Sequence, residues 1–220
     1  MSPPSDPEPR LRAMQRLAES VRALCDAVVS SGVAPEVVEA VTATIDDATA
    51  TLRAEHHDGP YSGLMRLPLD YSDPQALLPL SPIIGAFNPC APNVALHLED
   101  GAVVGRARLG KRHIGPPGAA HGGITAMIAD QMVAVAPFAL KSTLGYVTRQ
   151  LTIRYRAPTP LYQELELDAR CDADSEGFPE RVTTRGEIRA NGKTTVEIEA
   201  ETVAAPQVTR PKQRTPAPPS

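Results

Sequence analysis

Gly115-Pro116-Pro117-Gly118-Ala119-Ala120-His121-Gly122-Gly123-Ile124-Thr125-Ala126-Met127-Ile128-Ala129-Asp130-Gln131-Met132 is the stretch whose reading decides the fold. Its first half is Gly/Pro punctuation, which holds the chain in a turn. Its second half is apolar apart from one carboxylate. A helix opening near Gly123 places Ile124, Met127, Ile128, Met132 and Val135 at spacings of three and four, and so buries them. Asp130 lies within that helix, where an acid is costly to bury without a partner or a task. The two glycines leave the first N–H groups of the helix uncovered, at its electropositive end.

On either side of this helix the pattern is that of strands. Upstream, Ile83-Ile84-Gly85-Ala86-Phe87 opens a strand-like region from Ser81 and leads into the Asn88–Asn93 turn. Val94, Leu96 and Leu98 alternate with Ala95, His97 and Glu99, as in a half-buried strand, which puts His97 on the polar face. Asp100-Gly101 is a two-residue hairpin signal, and Ala102–Leu109 is the partner strand. Downstream, Pro137 kinks or ends the helix, and Lys141–Gly145 is its exit. Four strands follow, at Tyr146–Tyr155, Gln163–Ala173, Arg181–Ala190 and Thr194–Val203. Pro158 and Pro160, Ser175-Glu176-Gly177 and Asn191-Gly192 mark the turns between them. Connections this short cannot serve parallel strands, so the sheet is antiparallel, with one long helix inserted early.

At the N-terminus, Leu11, Met14, Leu17, Val21, Leu24, Cys25 and Val28 follow helical spacing up to Gly32. A second helix starts at Pro35 and carries Val37, Val38, Val41, Ile45, Ala48 and Leu52 on one face. Together they read as a helical hairpin that must bury its stripe on the main domain or on a second subunit. The expected organisation is a disordered start at 1–9, the hairpin at 10–57, a connector at 58–80, the sheet-and-helix domain at 81–204 and a disordered tail at 205–220. His56-His57 has no third ligand nearby and reads as an exposed pair.

The net charge of −4 over 220 residues argues against a nucleic-acid surface. No apolar run reaches the length of about 18 residues that a membrane helix needs. The first nine residues lack the basic and apolar regions of a signal peptide. Cys25, Cys90 and Cys171 form neither a metal pattern nor a disulfide framework, so no metal is expected and a reducing cytoplasm is.

One helix wrapped by an antiparallel sheet is the pattern of the α+β hot-dog fold. The Gly115–Gly123 segment with Ala129-Asp130 resembles the hot-dog acyl-CoA thioesterases. It is most similar to the branch of thioesterase superfamily members 4 and 5, and next to the phenylacetate-pathway (PaaI-like) thioesterases. Thr148–Tyr155 with Pro158 and Pro160 resembles the strand and turn after the helix in that branch, and the similarity runs over roughly residues 80–204. The resemblance implies hydrolysis of an acyl-CoA thioester in lipid metabolism, with no cofactor beyond the CoA of the substrate. It implies that Asp130 acts as general base on water or as nucleophile, and that Gly122 and Gly123 offer backbone N–H groups as an oxyanion hole. It also implies that His121 shapes the turn and its hydrogen bonds, and that Thr148 orients the acid or the water. Asn88 is either a holder of water or acyl group or simply a turn residue beside Pro89. Lys111, Arg112, Lys141, Arg149, Arg154 and Arg156 are available for CoA phosphates or as solvated surface charges.

Gly123 and Asp130 are seven residues apart, hence roughly 10 Å along a helix. One thioester cannot span that, so the two groups must come from different copies across a two-fold axis. The expectation is an obligate homodimer, or a dimer of dimers, with shared sites. Two other readings compete. In one, the chain is a non-catalytic acyl-CoA-binding or regulatory hot-dog protein, which the retained Asp130 disfavours. In the other it is an enoyl-CoA hydratase, for which Asn88-Pro89 lacks the preceding Asp and following His.

Overall fold

The computed structural model describes residues 8–55, 72–140, 146–172 and 180–205. The termini, His56-His57, most of the connector, the Lys141–Gly145 exit and the Ser175–Gly177 turn lie outside the described residues. Among the described residues three helices precede the sheet: α1 (Glu8–Val28), α2 (Pro35–Arg53) and the one-turn α3 (Pro74–Leu77). Strands β1 (Asn93–Glu99) and β2 (Ala102–Arg108) come next, then α4 (Gly122–Val135), then β3 (Tyr146–Tyr155), β4 (Glu164–Asp172), β5 (Arg181–Ala190) and β6 (Lys193–Ala204). They form one sheet in the order β1-β2-β4-β5-β6-β3, antiparallel at every pairing. This is the hot-dog arrangement, with β3 on an open edge.

Turn chemistry sets the hairpins. Asp100 and Gly101 have φ of 48° and 76°, and Asn191 and Gly192 have 51° and 72°. Both pairs are primed turns, whose twist matches that of the flanking strands. The inner face of the sheet packs on α4, where Ile128, Met132, Val133 and Val135 have no exposed surface; neither do Val103, Leu165, Ile188 and Val196 on the strands. Burying each such side chain stabilises the fold by roughly 1.5–3 kcal/mol. The outer face is a lattice of ion pairs, among them Arg106–Glu164, Arg185–Asp172, Arg189–Glu187 and Arg156–Glu197. His97 is on the exposed side of β1 beside Glu99, as its alternation predicts.

At Gly105 of β2 the neighbouring strand approaches closely. A Cβ there would collide with the Ala95 carbonyl oxygen and stand 2.7 Å from Leu96 Cδ2. Gly105→Ala should therefore cost about 2 kcal/mol or more, read as a lower denaturation midpoint with an unchanged m-value.

Several expectations change. Ile83 and Ile84 are buried but not in a strand: their N–H groups donate to Ser81 Oγ, and Gly85 N–H donates to the Ser81 carbonyl. The local turn thus takes the bonds a ladder would need. Met127 is 45% exposed rather than buried, because it shares the outward face of α4 with Gly123 and Asp130. Asp130 itself is exposed in the single chain. Gly122–Ala139, unlike the expectation, is long and apolar enough by composition to cross a membrane. Its buried residues are packed on the sheet, which makes it a core helix.

In α1 the buried line runs through Ala18, with Arg22 and Asp26 half-buried on the same face, so Leu17, Cys25 and Val28 point outward. Polar contacts dock this face. Arg22 Nη1 donates to the Asn88 carbonyl at 2.8 Å, Arg112 Nη1 donates to the Arg22 carbonyl at 3.1 Å, and Arg112 Nε lies 3.5 Å from Asp26 Oδ1. α2 buries no residue in the single chain; Val37, Val38, Val41 and Leu52 of its stripe are exposed.

Candidate active site at the start of α4

The helix start is built by the turn before it. Ile114 and Ala120 form an antiparallel bridge, and Gly115 N–H donates to the Ala119 carbonyl. His121 N–H donates to the His113 carbonyl at 2.8 Å, which ties the turn to the 3₁₀ segment Lys111–His113. His113 is buried, with Gly110 N–H 3.1 Å from Nδ1 and Arg112 Nε 3.2 Å from Nε2. Donors face both ring nitrogens, so a second ring proton would have no acceptor. Burial foremost, and then the Arg112 charge, holds its pKa below the ordinary histidine value.

His121 caps α4. Its Nδ1 accepts the Gly123 N–H at 2.9 Å, while Ile124 N–H donates to the His121 carbonyl. An N-cap satisfies one of the helix's orphan donors. Gly123, expected as an oxyanion donor, therefore has its N–H occupied in this conformation. Among the described residues the Gly122 N–H has no acceptor and is the donor left free.

Gly122 is fixed from its carbonyl side. Thr125 Oγ1 donates to that carbonyl at 2.9 Å and Tyr155 Oη donates to it at 3.0 Å. Tyr155 is 55% exposed at the end of β3, and a Cβ on Gly122 would stand 3.3 Å from its Cζ and Oη. A cleft of about 490 Å³ opens here, lined by Pro116, Gly122, Gly123, Tyr155, Arg156 and Thr159 among others. Of the residues at this cleft, Arg156 is one of the cations the sequence offers for CoA phosphates, whereas Tyr155 and Thr125 carry no site signal in the sequence. Tyr155 reads there as one residue of a strand alternation, and its partner is 33 positions away.

The other expected residues lie elsewhere in the single chain. Asp130 is eight residues beyond Gly122, about 12 Å along the helix axis. It is exposed and, among the described residues, has neither a hydrogen-bond donor nor a cation beside it. An acid kept for structure would be buried and paired; Asp130 is neither. Thr148 is half-buried and pairs in register with Thr202, whose buried hydroxyl donates to the Val182 carbonyl at 3.4 Å. It stands seven residues from Tyr155 along β3, roughly 20 Å. Asn88 is spent on its own loop: Nδ2 donates to the Leu80 carbonyl at 3.0 Å and Oδ1 accepts the Cys90 N–H at 2.9 Å. That is its turn role. Arg149, Arg154 and Arg156 pair with Glu201, Glu199 and Glu197, and Arg112 is turned inward toward Asp26. Lys141 lies outside the described residues.

A family model described as the thioesterase superfamily matches residues 117–173, from the Pro-Pro-Gly turn through α4 and β3 to β4. A solved structure described as a thioesterase superfamily protein is 27% identical and superposes with a TM-score of 0.73, covering 86% of this chain and 90% of that one. A hypothetical thioesterase with coenzyme A from Streptococcus pneumoniae is 22% identical, with a TM-score of 0.45 over 51% of this chain and 89% of its own. The PaaI protein of the E. coli phenylacetic acid degradation operon is 18% identical, with a TM-score of 0.45 over 51% and 79%. No curated protein matches the chain. The chain thus has the hot-dog thioesterase fold, and residues 117–173 carry the sequence signature of the thioesterase superfamily.

Proposed function

We propose that the protein hydrolyses an acyl-CoA thioester to the free acid and CoA, in a site completed by a second copy of the chain. The observation that carries this reading is the free Gly122 N–H at the α4 N-terminus, beside an open cleft. Negative charge develops on the thioester oxygen as the carbonyl is attacked. A preorganised N–H with the helix dipole behind it stabilises that charge.

The attacking group is water activated by Asp130, or Asp130 itself, and it belongs to the partner subunit. The face Gly123–Met127–Asp130 and the open edge of β3 are both uncovered in the single chain. Two β3 edges paired antiparallel about a two-fold bring the Thr148 end of one strand beside the Tyr155 end of the other. The same operation brings one α4 start toward the other chain's Asp130. Thr148 then stands near a reacting centre that its own chain cannot offer it, and orients the acid or the water. The place of action is a reducing cytoplasm, in the metabolism of acyl-CoAs.

Thiol release from a panel of acyl-CoAs of graded chain length tests the activity, and light scattering tests the assembly. The expected result is turnover of at least one acyl-CoA by a species of twice 23.4 kDa or a multiple of that. A panel without thiol release favours an acyl-CoA-binding role, and a particle of 23.4 kDa that turns over substrate overturns the shared site.

A further inference from the structure

α2 is a helix that its own chain does not support. None of its 19 residues is buried, and Ala34 at its N-terminal end supplies no side-chain cap. Eight of the 19 are Val, Ile or Thr, which lose side-chain freedom in a helix. A helix of this length and composition is marginal in water unless one of its faces is packed.

One face of α2 is prepared for that. Val38, Val41, Ile45, Ala48 and Leu52 recur at spacings of three, four, three and four, the period of a seam between two helices. Val37, Thr42, Thr44, Thr49 and Thr51 flank the seam, and none of them carries a charge. Each of the four threonine hydroxyls donates to the α2 carbonyl four residues earlier, at 2.8 to 3.0 Å. The hydroxyl protons are spent inside the helix, so a partner can dry this face without stranding a donor. Glu36, Glu39, Asp46 and Asp47 all fall on the opposite side. Those acids disfavour a membrane as the cover, because helices that lie on one carry Lys and Arg on the polar face.

The seam is also complementary to itself. In an antiparallel pair centred on Ile45, Val38 meets Leu52 of the second copy, and Val41 meets Thr49 beside Ala48. The uncharged flanks bring no like charges together, and Glu39 of each helix lies at the level of Arg53 of the other, on the same side. We propose that α2 docks antiparallel on the α2 of a second copy, with Ile45 at the two-fold axis. This is a contact between copies distinct from the α4 face and the β3 edge, and it makes no use of the active site.

Cross-linking of the full-length chain tests it without any turnover. With the exposed Cys25 and Cys90 replaced by serine, Ile45→Cys should oxidise to covalent dimers linked through position 45. Ala43→Cys, on the side of the acids, should stay unlinked at the same protein concentration. Val41→Glu sets a charge into the seam of both helices and leaves the core alone, since Val41 is exposed in the single chain. It should cost the helical ellipticity of the 19 residues of α2. An unchanged particle mass alongside that loss places the seam within the dimer, and a halved mass places it between two dimers. No link at position 45, equal linkage at position 43, or full helicity in Val41→Glu each overturns the proposal. Binding to neutral phospholipid vesicles with no link at position 45 would identify a membrane as the cover instead.

Discussion

Asp130→Asn leaves a folded protein of unchanged solution mass that releases thiol from acyl-CoA about 10²–10⁴ times more slowly. The fold should be indifferent to the change, because Asp130 is exposed and no described residue pairs with it. Asparagine keeps the shape and removes both the basicity and the nucleophilicity. A loss confined to kcat is therefore the mark of a group used in the transition state alone. Unchanged turnover would remove Asp130 from the reaction.

The same variant decides where the acid acts. Differently tagged chains, one carrying Asp130→Asn and the other Gly122→Val, can be isolated as heterodimers. If each site draws Gly122 from one chain and Asp130 from the other, one site of the heterodimer carries both lesions and the second carries neither. The heterodimer then recovers about half of wild-type turnover while both parent homodimers stay inactive. If each site were built within one chain, every site would carry a lesion and nothing would be recovered. The roughly 12 Å between the two groups on α4 favours recovery.

The sheet was legible because its information is local. β3 and β5 begin and end where the alternation and turn residues place them, and both tight hairpins form at Asp-Gly and Asn-Gly pairs. Ile83-Ile84 misled because an apolar run does not reveal where its N–H groups go; Ser81 took them. Met127 and Asp130 misled for a different reason. Helical spacing gives the faces of α4 but not how many of them the chain itself covers, and one is left open. The stripe of α2 poses the same problem. At the candidate site, the motif pointed to the α4 start but could not divide labour between its glycines. That division depends on His121 Nδ1 reaching the Gly123 N–H, a rotamer, and on Tyr155 arriving from the far end of a strand.

Gly122→Val should lower kcat by about 10²–10³, the usual cost of losing an oxyanion donor, with little loss of stability. The new side chain would start 3.3 Å from the Tyr155 ring, which is more than half exposed and can swing aside at small cost to the core. In swinging it breaks the hydroxyl bond that helps fix the Gly122 carbonyl, and the added methyls stand beside the Gly122 N–H, which no described residue accepts. Melting temperature and turnover should thus part company, which a simple folding defect would not produce. Tyr155→Phe separates the two contributions. It keeps the ring and removes the bond, while Thr125 Oγ1 still donates to the same carbonyl at 2.9 Å. Its effect should be smaller, about three- to tenfold, because a single neutral hydrogen bond is worth about 1 kcal/mol. The loss should fall on kcat with KM nearly unchanged, since the hydroxyl acts through the position of Gly122 and not through contact with substrate. A Gly122→Val protein that turns over at the wild-type rate would show that the oxyanion is stabilised elsewhere.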